Sequence, residues 1–200
     1  MKKLFLTLVL AFTGIFAANA QVWLGGSANV TVNKEVTKFA VAPEIGYSFK
    51  AIPLTIAVGA NYGFYKGTEP KVDENNLPIL DENGNPEMND VKLNPIVLSP
   101  YIRYSVCTIK NNEGVDKFAL FLDLTGDFGL KDCTGYRVGL QPGIAWMATK
   151  HWTAAFRFAF IGYNNLEGND INGTSIYGDK GFRFDFAATT GPTFGLYYNF

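Results

Sequence analysis

The residues of this sequence that could do chemistry inside a fold are charged side chains within otherwise apolar, alternating stretches. Ionised groups are tolerated in a low-dielectric interior only where they are paired. The spacing across the predicted strands brings Asp127 near Arg137 and Asp123 within reach of Arg103. The pattern therefore predicts a network of charges that plugs an interior, and a narrow gated pore for ions or water is the functional alternative. The network consists of Glu44, Arg103, Asp123, Asp127, Arg137 and Arg157.

Catalytic and cofactor chemistry are not indicated. His151 is the only histidine, and it is predicted to lie in a turn beside Trp152, at the end away from the long loops. A Ser–His–acid site needs serine and histidine in hydrogen-bond contact, and the predicted layout offers no such group. We therefore expect no enzymatic activity and no cofactor, and we interpret His151 as a turn and interface residue.

The chain has two cysteines. Cys107 ends a predicted strand, whereas Cys133 is predicted to lie in a loop at the opposite end of the fold. A strand rises about 3.3 Å per residue, which puts the two residues more than roughly 20 Å apart. Because a disulfide cannot span that distance, we predict two unpaired cysteines.

A long predicted loop from Lys66 to Leu93 carries seven acidic side chains against three lysines. Its segment 81–85 (Asp-Glu-Asn-Gly-Asn) is similar to an oxygen-ligand calcium loop, but it lacks the full pattern with a terminal glutamate. Asn83-Gly84 is a hairpin turn signal. We therefore predict a solvated or hairpin-forming loop without a metal, with divalent-cation binding as the alternative.

The elements that position these residues are predicted from alternation of large apolar with small or polar side chains. The runs contain ten residues or more, which matches the roughly 9–11 residues of a tilted membrane-spanning strand. The sequence predicts an all-β fold, an eight-stranded antiparallel up-and-down transmembrane barrel. Its predicted strands are Val22–Val32, Phe39–Phe49, Leu54–Tyr65, Asn94–Cys107, Phe118–Phe128, Tyr136–Trp146, Trp152–Tyr163 and Phe182–Phe200.

The charges indicate which face of each strand points inward. Eight strands enclose a lumen just wide enough for side chains, so we expect small and polar residues inside and bulky residues against lipid. The 17 Phe and 10 Tyr suit the aromatic girdles of such barrels. All charged residues within the eight runs fall on the face opposite the large apolar ones: Glu44, Arg103, Asp123, Asp127, Arg137, Arg157, Arg183 and Asp185.

The connections and the N-terminus indicate how the barrel is oriented. The two longest connections, Lys66–Leu93 and Asn164–Gly181, lie at the same predicted end, as expected for extracellular loops. Residues 1–20 have the layout of a secretory signal peptide: Lys2 and Lys3, then an apolar run, then small residues before a cleavage site between Ala20 and Gln21. We predict a signal peptide at 1–20, a barrel domain at 21–200 and export to the bacterial outer membrane.

With a signal segment, eight alternating strands and a Phe-rich end, residues 21–200 resemble the small outer-membrane barrels of the OmpA/OmpX type. The likeness is strongest to the "outer membrane protein beta-barrel domain" (porin family) chains of Bacteroidetes. Its most specific element is the C-terminal segment 194–200, which is similar to the terminal signature read by the barrel-assembly machinery. The resemblance implies that role for Phe194, Leu196, Tyr198 and Phe200.

Three functions remain open at this point. The first is a structural or surface-interaction barrel in outer-membrane lipid, which meets partners through its extracellular loops, such as 66–93. The second is a narrow channel, and the third is a soluble secreted barrel that binds an apolar ligand. Periplasmic chaperones and the assembly machinery are expected partners during biogenesis. The formal net charge of −1 gives no reason to expect nucleic acid.

Overall fold

The computed structural model describes residues 20–32, 36–75, 77–168, 180–186 and 192–200. The predicted signal peptide lies outside these residues except for Ala20, at which the first strand begins. Within the described ranges, no helix is long and apolar enough to cross a membrane. The strands are β1 (Ala20–Val32), β2 (Val36–Phe49), β3 (Leu54–Pro70), β4 (Met88–Leu93), β5 (Ile96–Lys110), β6 (Asp116–Lys131), β7 (Cys133–Met147), β8 (Trp152–Arg157), β9 (Ala159–Gly168), β10 (Gly181–Phe186) and β11 (Thr193–Asn199).

The strands form a closed antiparallel barrel with eight strands in its wall, as the sequence predicts. The order around the wall is β1-β2-β3-β5-β6-β7-β8-β11, and β1 pairs with β11 to close it. We call the end that carries the connections 50–53, 111–115 and 148–151 the turn end. The opposite end, from which the β3–β4 hairpin projects, is the hairpin end.

The remaining strands prolong the wall at the hairpin end. β4 continues β5, because Tyr65↔Leu93 and Tyr62↔Ile96 belong to one register against β3. Pro95 interrupts the strand because proline has no backbone N–H to donate, although its carbonyl accepts the amide of Gly63 at 2.8 Å. β9 and β10 form a hairpin that extends the wall beyond β8.

The predicted seventh strand, Trp152–Tyr163, is interrupted at Phe158. Pro142 accepts the N–H of Phe158 at 3.2 Å but has no N–H to return. The register of β9 against β7 is shifted by one residue relative to that of β8, which is the signature of a β-bulge. Strict alternation along the predicted strand would place Phe160 on the outer face with Phe156. The bulge reverses the faces, so that expectation is wrong, and Phe160 is buried inside.

The larger of the remaining differences from the prediction concern one strand and two loops. The single eighth strand, Phe182–Phe200, is instead β10 and β11, and residues 187–191 lie outside the described part of the chain. The predicted loop Gly129–Gly135 is reduced to a turn at Asp132, whose φ is 52°, because β6 continues to Lys131 against β5 and β7 begins at Cys133 against β9. The loop Lys66–Leu93 is shortened by β4 and by the extension of β3 to Pro70.

The charged and the large exposed apolar side chains lie on opposite faces of the wall, as predicted. All eight charged residues point inward, and six of them are buried: Glu44, Arg103, Asp123, Asp127, Arg157 and Asp185. Large apolar side chains point outward from every strand and are exposed, as with Leu24 on β1, Ile45 on β2 and Leu124 on β6. The candidate site is therefore the barrel interior.

Candidate functional site: the barrel interior

The centre of the interior is an ion-pair cluster around Asp123, whose exposed fraction is 0%. The guanidinium of Arg103 donates to both carboxylate oxygens, from Nε at 2.7 Å and from Nη2 at 2.9 Å. Arg157 donates to the same carboxylate from Nε at 2.8 Å. One acid therefore holds two arginines that reach it from different strands, β5 and β8.

Glu44 joins this cluster from β2. Its Oε2 accepts hydrogen bonds from the Tyr101 hydroxyl at 2.6 Å, from the Tyr197 hydroxyl at 3.3 Å and from Arg157 Nη2 at 3.4 Å. The Ser27 hydroxyl donates to Oε1. Because all these partners come from strands on several sides of the wall, the cluster crosses the lumen from one side to the other.

The other two members of the predicted network form a separate pair. Arg137 and Asp127 face each other across β6 and β7, with Nε 3.3 Å from Oδ2. The Arg137 guanidinium also lies over the Phe160 ring, 3.8 Å from its centroid. The structure thus groups Glu44 with Arg103 and Asp123, and it keeps Arg137 with Asp127. Arg183 and Asp185 of β10 pair with each other at 2.9 Å.

An aromatic cluster fills the interior between the ion pairs and the turn end. It consists of Trp23, Tyr101, Ala119, Phe121, Ala145, Ala155 and Tyr197. The expectation that only small and polar side chains fit inside is therefore wrong. The physical reason is that each large ring faces a glycine on a neighbouring strand and occupies the space that a side chain at that position would fill. The facing pairs are Trp23 with Gly46, Phe121 with Gly143, and Tyr197 with Gly25.

Gly46 is a position where this packing can be tested. A methyl group there would overlap the indole of Trp23, so Gly46→Val is expected to destabilise the protein by about 1–3 kcal/mol through overpacking. The measurement is the free energy of unfolding in urea. Ala60→Val on the exposed outer face is the control and should change it by less than about 0.5 kcal/mol. Equal effects of the two substitutions would contradict the packing.

A second apolar cluster lies inside the barrel near the hairpin end. Its members are Tyr65, Leu93, Val97, Cys133 and Leu166. The prediction that Cys133 lies in a loop is wrong, because it begins β7 and points inward with an exposed fraction of 2%. Cys107 is exposed on β5, and both cysteines are free, as predicted.

A cavity of about 250 Å³ lies in the interior beside the ion pairs. Glu44, Tyr101 and Arg157 line it, so it reaches the central cluster. Arg137 and Phe160 also line it, and Lys38 and Arg183 enter it from β2 and β10. Sequence reasoning did not identify this cavity, since Lys38 lies before the start of the predicted second strand.

The remaining predicted site residues lie at the surface. His151 at the turn end is exposed, stacks on Tyr198 and contacts the Asn199 carbonyl through Nδ1 at 2.9 Å. The predicted C-terminal assembly residues lie on or just beyond β11: Phe194, Leu196 and Phe200 are exposed on its outer face, and Tyr198 packs against Trp152. Among the described residues, no group of three or more His, Cys, Asp or Glu could hold a metal ion.

The tip of the projecting hairpin, residues 71–75 and 77–87, has a regular pattern of backbone hydrogen bonds that the sequence analysis did not predict. Lys71, Ile79 and Glu87 are joined in a cycle: Lys71 N–H to Glu87 O at 2.7 Å, Glu87 N–H to Ile79 O at 2.8 Å, and Ile79 N–H to Lys71 O at 2.8 Å. The eight-residue spacing of these positions matches an internal repeat, Asp-Glu-Asn at 73–75 and again at 81–83.

Each repeat closes a turn in the same way. Asp73 Oδ1 accepts the amides of Leu77 and Asn75, and Asp81 Oδ1 accepts those of Asn85 and Asn83. Hydrogen bonds from these backbone amides lower the pKa of the two carboxyl groups. The largest effect comes from the Leu77 amide on Asp73 and from the Asn85 amide on Asp81. The segment resembling a calcium loop is thus a turn whose aspartate already bonds its own backbone.

No family model matches this sequence, and no curated protein matches it either.

Proposed function

We propose that this protein is an integral outer-membrane barrel with a plugged interior, which acts as a structural or surface-interaction protein through its projecting hairpin end. In this it would resemble the small barrels of the OmpA/OmpX type and reach the membrane by export and assembly. The proposal rests above all on one observation, the exposure of large apolar side chains on the outer face of all eleven strands.

The extent of this apolar face argues for contact with lipid. Soluble monomers rarely expose contiguous apolar patches above a few hundred Å², whereas here the exposed apolar residues continue around the whole wall. Ile102, Leu124 and Leu140 are cross-strand neighbours on β5, β6 and β7, and their exposed fractions are 46%, 49% and 37%. In water the unfavourable free energy of hydrating these apolar side chains would persist, whereas contact with hydrocarbon removes it.

The order of side chains along the wall supports the same proposal. Aromatic residues pair across strands towards both ends of an aliphatic band: Phe39↔Phe64 and Phe128↔Tyr136 at the hairpin end, Phe118↔Trp146 and Trp152↔Tyr198 at the turn end. Aromatic girdles flanking an apolar band are typical of membrane barrels. A soluble barrel that binds an apolar ligand would place such a band inside.

The filled interior favours a plugged barrel over a channel. Between the cavity and the turn end, a passing ion would have to displace Trp23, Phe121 and Tyr197, whose exposed fractions are 3–4%. It would also have to break the bidentate pair of Arg103 with Asp123. The projecting tip, with its ordered turns, is the surface best placed to meet a partner outside the membrane.

Cell fractionation together with gel mobility tests this proposal. We expect the protein in the outer-membrane fraction, extractable by detergent and not by salt or alkali, and migrating faster unheated than boiled. Protease added to whole cells should cut within residues 71–87 and leave the wall intact. Recovery as a soluble protein without detergent would contradict the proposal and favour the soluble barrel.

A further inference from the structure

Two lysines lie directly opposite each other on the outer face of the wall at the hairpin end. Lys66 of β3 pairs with Lys92 of β4 in the antiparallel register, and both side chains are exposed. Lys66 shares the outward face of Phe64, and Lys92 points outward because Leu93, the next residue on β4, is buried in the interior cluster. Side chains at directly opposite positions have Cβ atoms about 4.5–5.5 Å apart, so two like charges there destabilise the sheet.

The charges of this lysine pair are not compensated by the described side chains. Elsewhere an exposed lysine of the hairpin forms an ion pair, as Lys71 does with Glu87 at 2.6 Å. Asp90 shares the outer face with Lys92, further along β4, yet it forms no ion pair with either Lys66 or Lys92. The repulsion between the two ammonium groups therefore favours an anion from outside the chain.

The position of the pair along the wall indicates which anion this would be. Lys66 follows Phe64, which pairs with Phe39 in the aromatic residues of the hairpin end. With a rise of about 3.3 Å per residue and a strand tilt of about 40°, the lysines lie roughly 5 Å beyond these rings along the barrel axis. Aromatic belts of membrane proteins lie at the level of the lipid headgroups. The two ammonium groups would therefore lie among the headgroup phosphates, above the part of the wall that suits acyl chains.

We propose that Lys66 and Lys92 together bind the phosphate of a lipid headgroup in the membrane leaflet at the hairpin end. Each ammonium group has three N–H donors and acts as a compact point charge, so one phosphate between them offsets their mutual repulsion. The inference rests on the proposed function, because it requires the wall to contact lipid, and it adds the chemical class of the lipid. A free phosphate would lack the acyl chains that contact the apolar wall below.

Native mass spectrometry of the purified, folded protein in neutral detergent tests this site with three probes. Phosphatidic acid has the phosphate and the acyl chains, diacylglycerol has the same chains without the phosphate, and glycerol 3-phosphate has the phosphate alone. We expect saturable binding of phosphatidic acid. Diacylglycerol should bind about tenfold more weakly or worse, since each lysine near an anionic lipid surface contributes about a factor of five. Glycerol 3-phosphate should also bind more weakly, because it buries no apolar surface.

Paired substitutions assign the binding to the two lysines. The double variant Lys66→Gln/Lys92→Gln should bind phosphatidic acid about tenfold more weakly or worse, whereas Lys66→Arg/Lys92→Arg keeps both charges and should retain the binding. Lys50→Gln/Lys150→Gln is the matched control, because it removes the same charge from two exposed lysines of the turn end, and it should bind like the parent. Gel mobility of unheated samples verifies that each variant is folded.

The contrary outcomes separate this site from the proposed function. Equal binding of phosphatidic acid and diacylglycerol, or an unchanged Lys66→Gln/Lys92→Gln variant, would overturn the lipid-phosphate site and leave the membrane barrel unaffected. Glycerol 3-phosphate bound as tightly as phosphatidic acid would also overturn it, in favour of a soluble phosphate. Recovery of the protein without detergent, in the fractionation described above, would contradict the proposed function and this site with it.

Discussion

Replacing Asp123 with alanine is expected to lower the free energy of unfolding by about 3–5 kcal/mol, because it leaves buried charges without their partner. Asp123 holds both Arg103 and Arg157, whose side chains are only 10% and 8% exposed. Glu44 is 3.4 Å from Arg157 and can compensate it in part. Arg103 would be left with the rings of Phe121, Tyr101 and Tyr197.

Unfolding in urea, after refolding into detergent or lipid vesicles, measures this effect. Asp116→Ala is the matched control, because its carboxylate lies 3.9 Å from Lys110 with both side chains more than half exposed. An exposed pair of this kind contributes less than about 1 kcal/mol. Combining Asp123→Ala with Arg103→Met should restore part of the loss. If the two alanine variants were equally stable, the central cluster would not hold the barrel together.

Leu124→Arg is expected to destabilise the folded protein in lipid by about 2–4 kcal/mol. Leu124 lies in the aliphatic band, between Ile102 and Leu140 on its neighbouring strands, where we propose that the bilayer is centred. An arginine there must stay in hydrocarbon or distort the bilayer to reach water. On a face in contact with water the same substitution would change stability by less than about 0.5 kcal/mol.

The tip of the projecting hairpin offers a closely matched control. Leu80 is 55% exposed and Leu124 is 49% exposed, so the two leucines differ chiefly in the surroundings that we propose for them. Leu80→Arg should leave the urea unfolding curve in lipid vesicles unchanged. The lipid-facing assignment fails if the two arginine variants unfold alike.

Much of the wall could be predicted from alternation, because side chains on a strand point to opposite faces in turn. That rule placed Glu44, Arg103 and Asp123 inside, and it predicted eight wall strands with antiparallel order. Reading the pairs from the spacing across strands also placed Asp127 beside Arg137, where the structure has them. These features depend on local sequence and on nearest neighbours, so one sequence is sufficient for them.

The positions that could not be predicted depend on what lies across the sheet. Phe160 turns inward because of a one-residue bulge opposite Pro142, and a bulge reverses every later position of the strand. The inward rings of Trp23 and Phe121 were missed because each is accommodated by a glycine on another strand. A glycine at the facing register position is the signal that could have found them.

The cavity and the tip were missed for a related reason. Lys38 and Arg183 are far apart in sequence, and they line the same cavity only because closure of the barrel brings β2 and β10 to one lumen. At the tip, the repeat at 73–75 and 81–83 was visible in the sequence. The structural role of the repeat could not be predicted, because it depends on a cycle of three backbone hydrogen bonds between positions eight and sixteen residues apart.

Quenching of tryptophan fluorescence by brominated lipid tests the lipid-facing wall most directly. Trp146 is 50% exposed on the outer face, whereas Trp23 is 4% exposed in the interior cluster. In vesicles whose acyl chains are brominated near the head-group end, single-tryptophan variants should show strong quenching of Trp146 and weak quenching of Trp23. Equal quenching of the two, or a Trp146 reached by aqueous iodide and not by the brominated chains, would contradict a barrel whose apolar face contacts the bilayer.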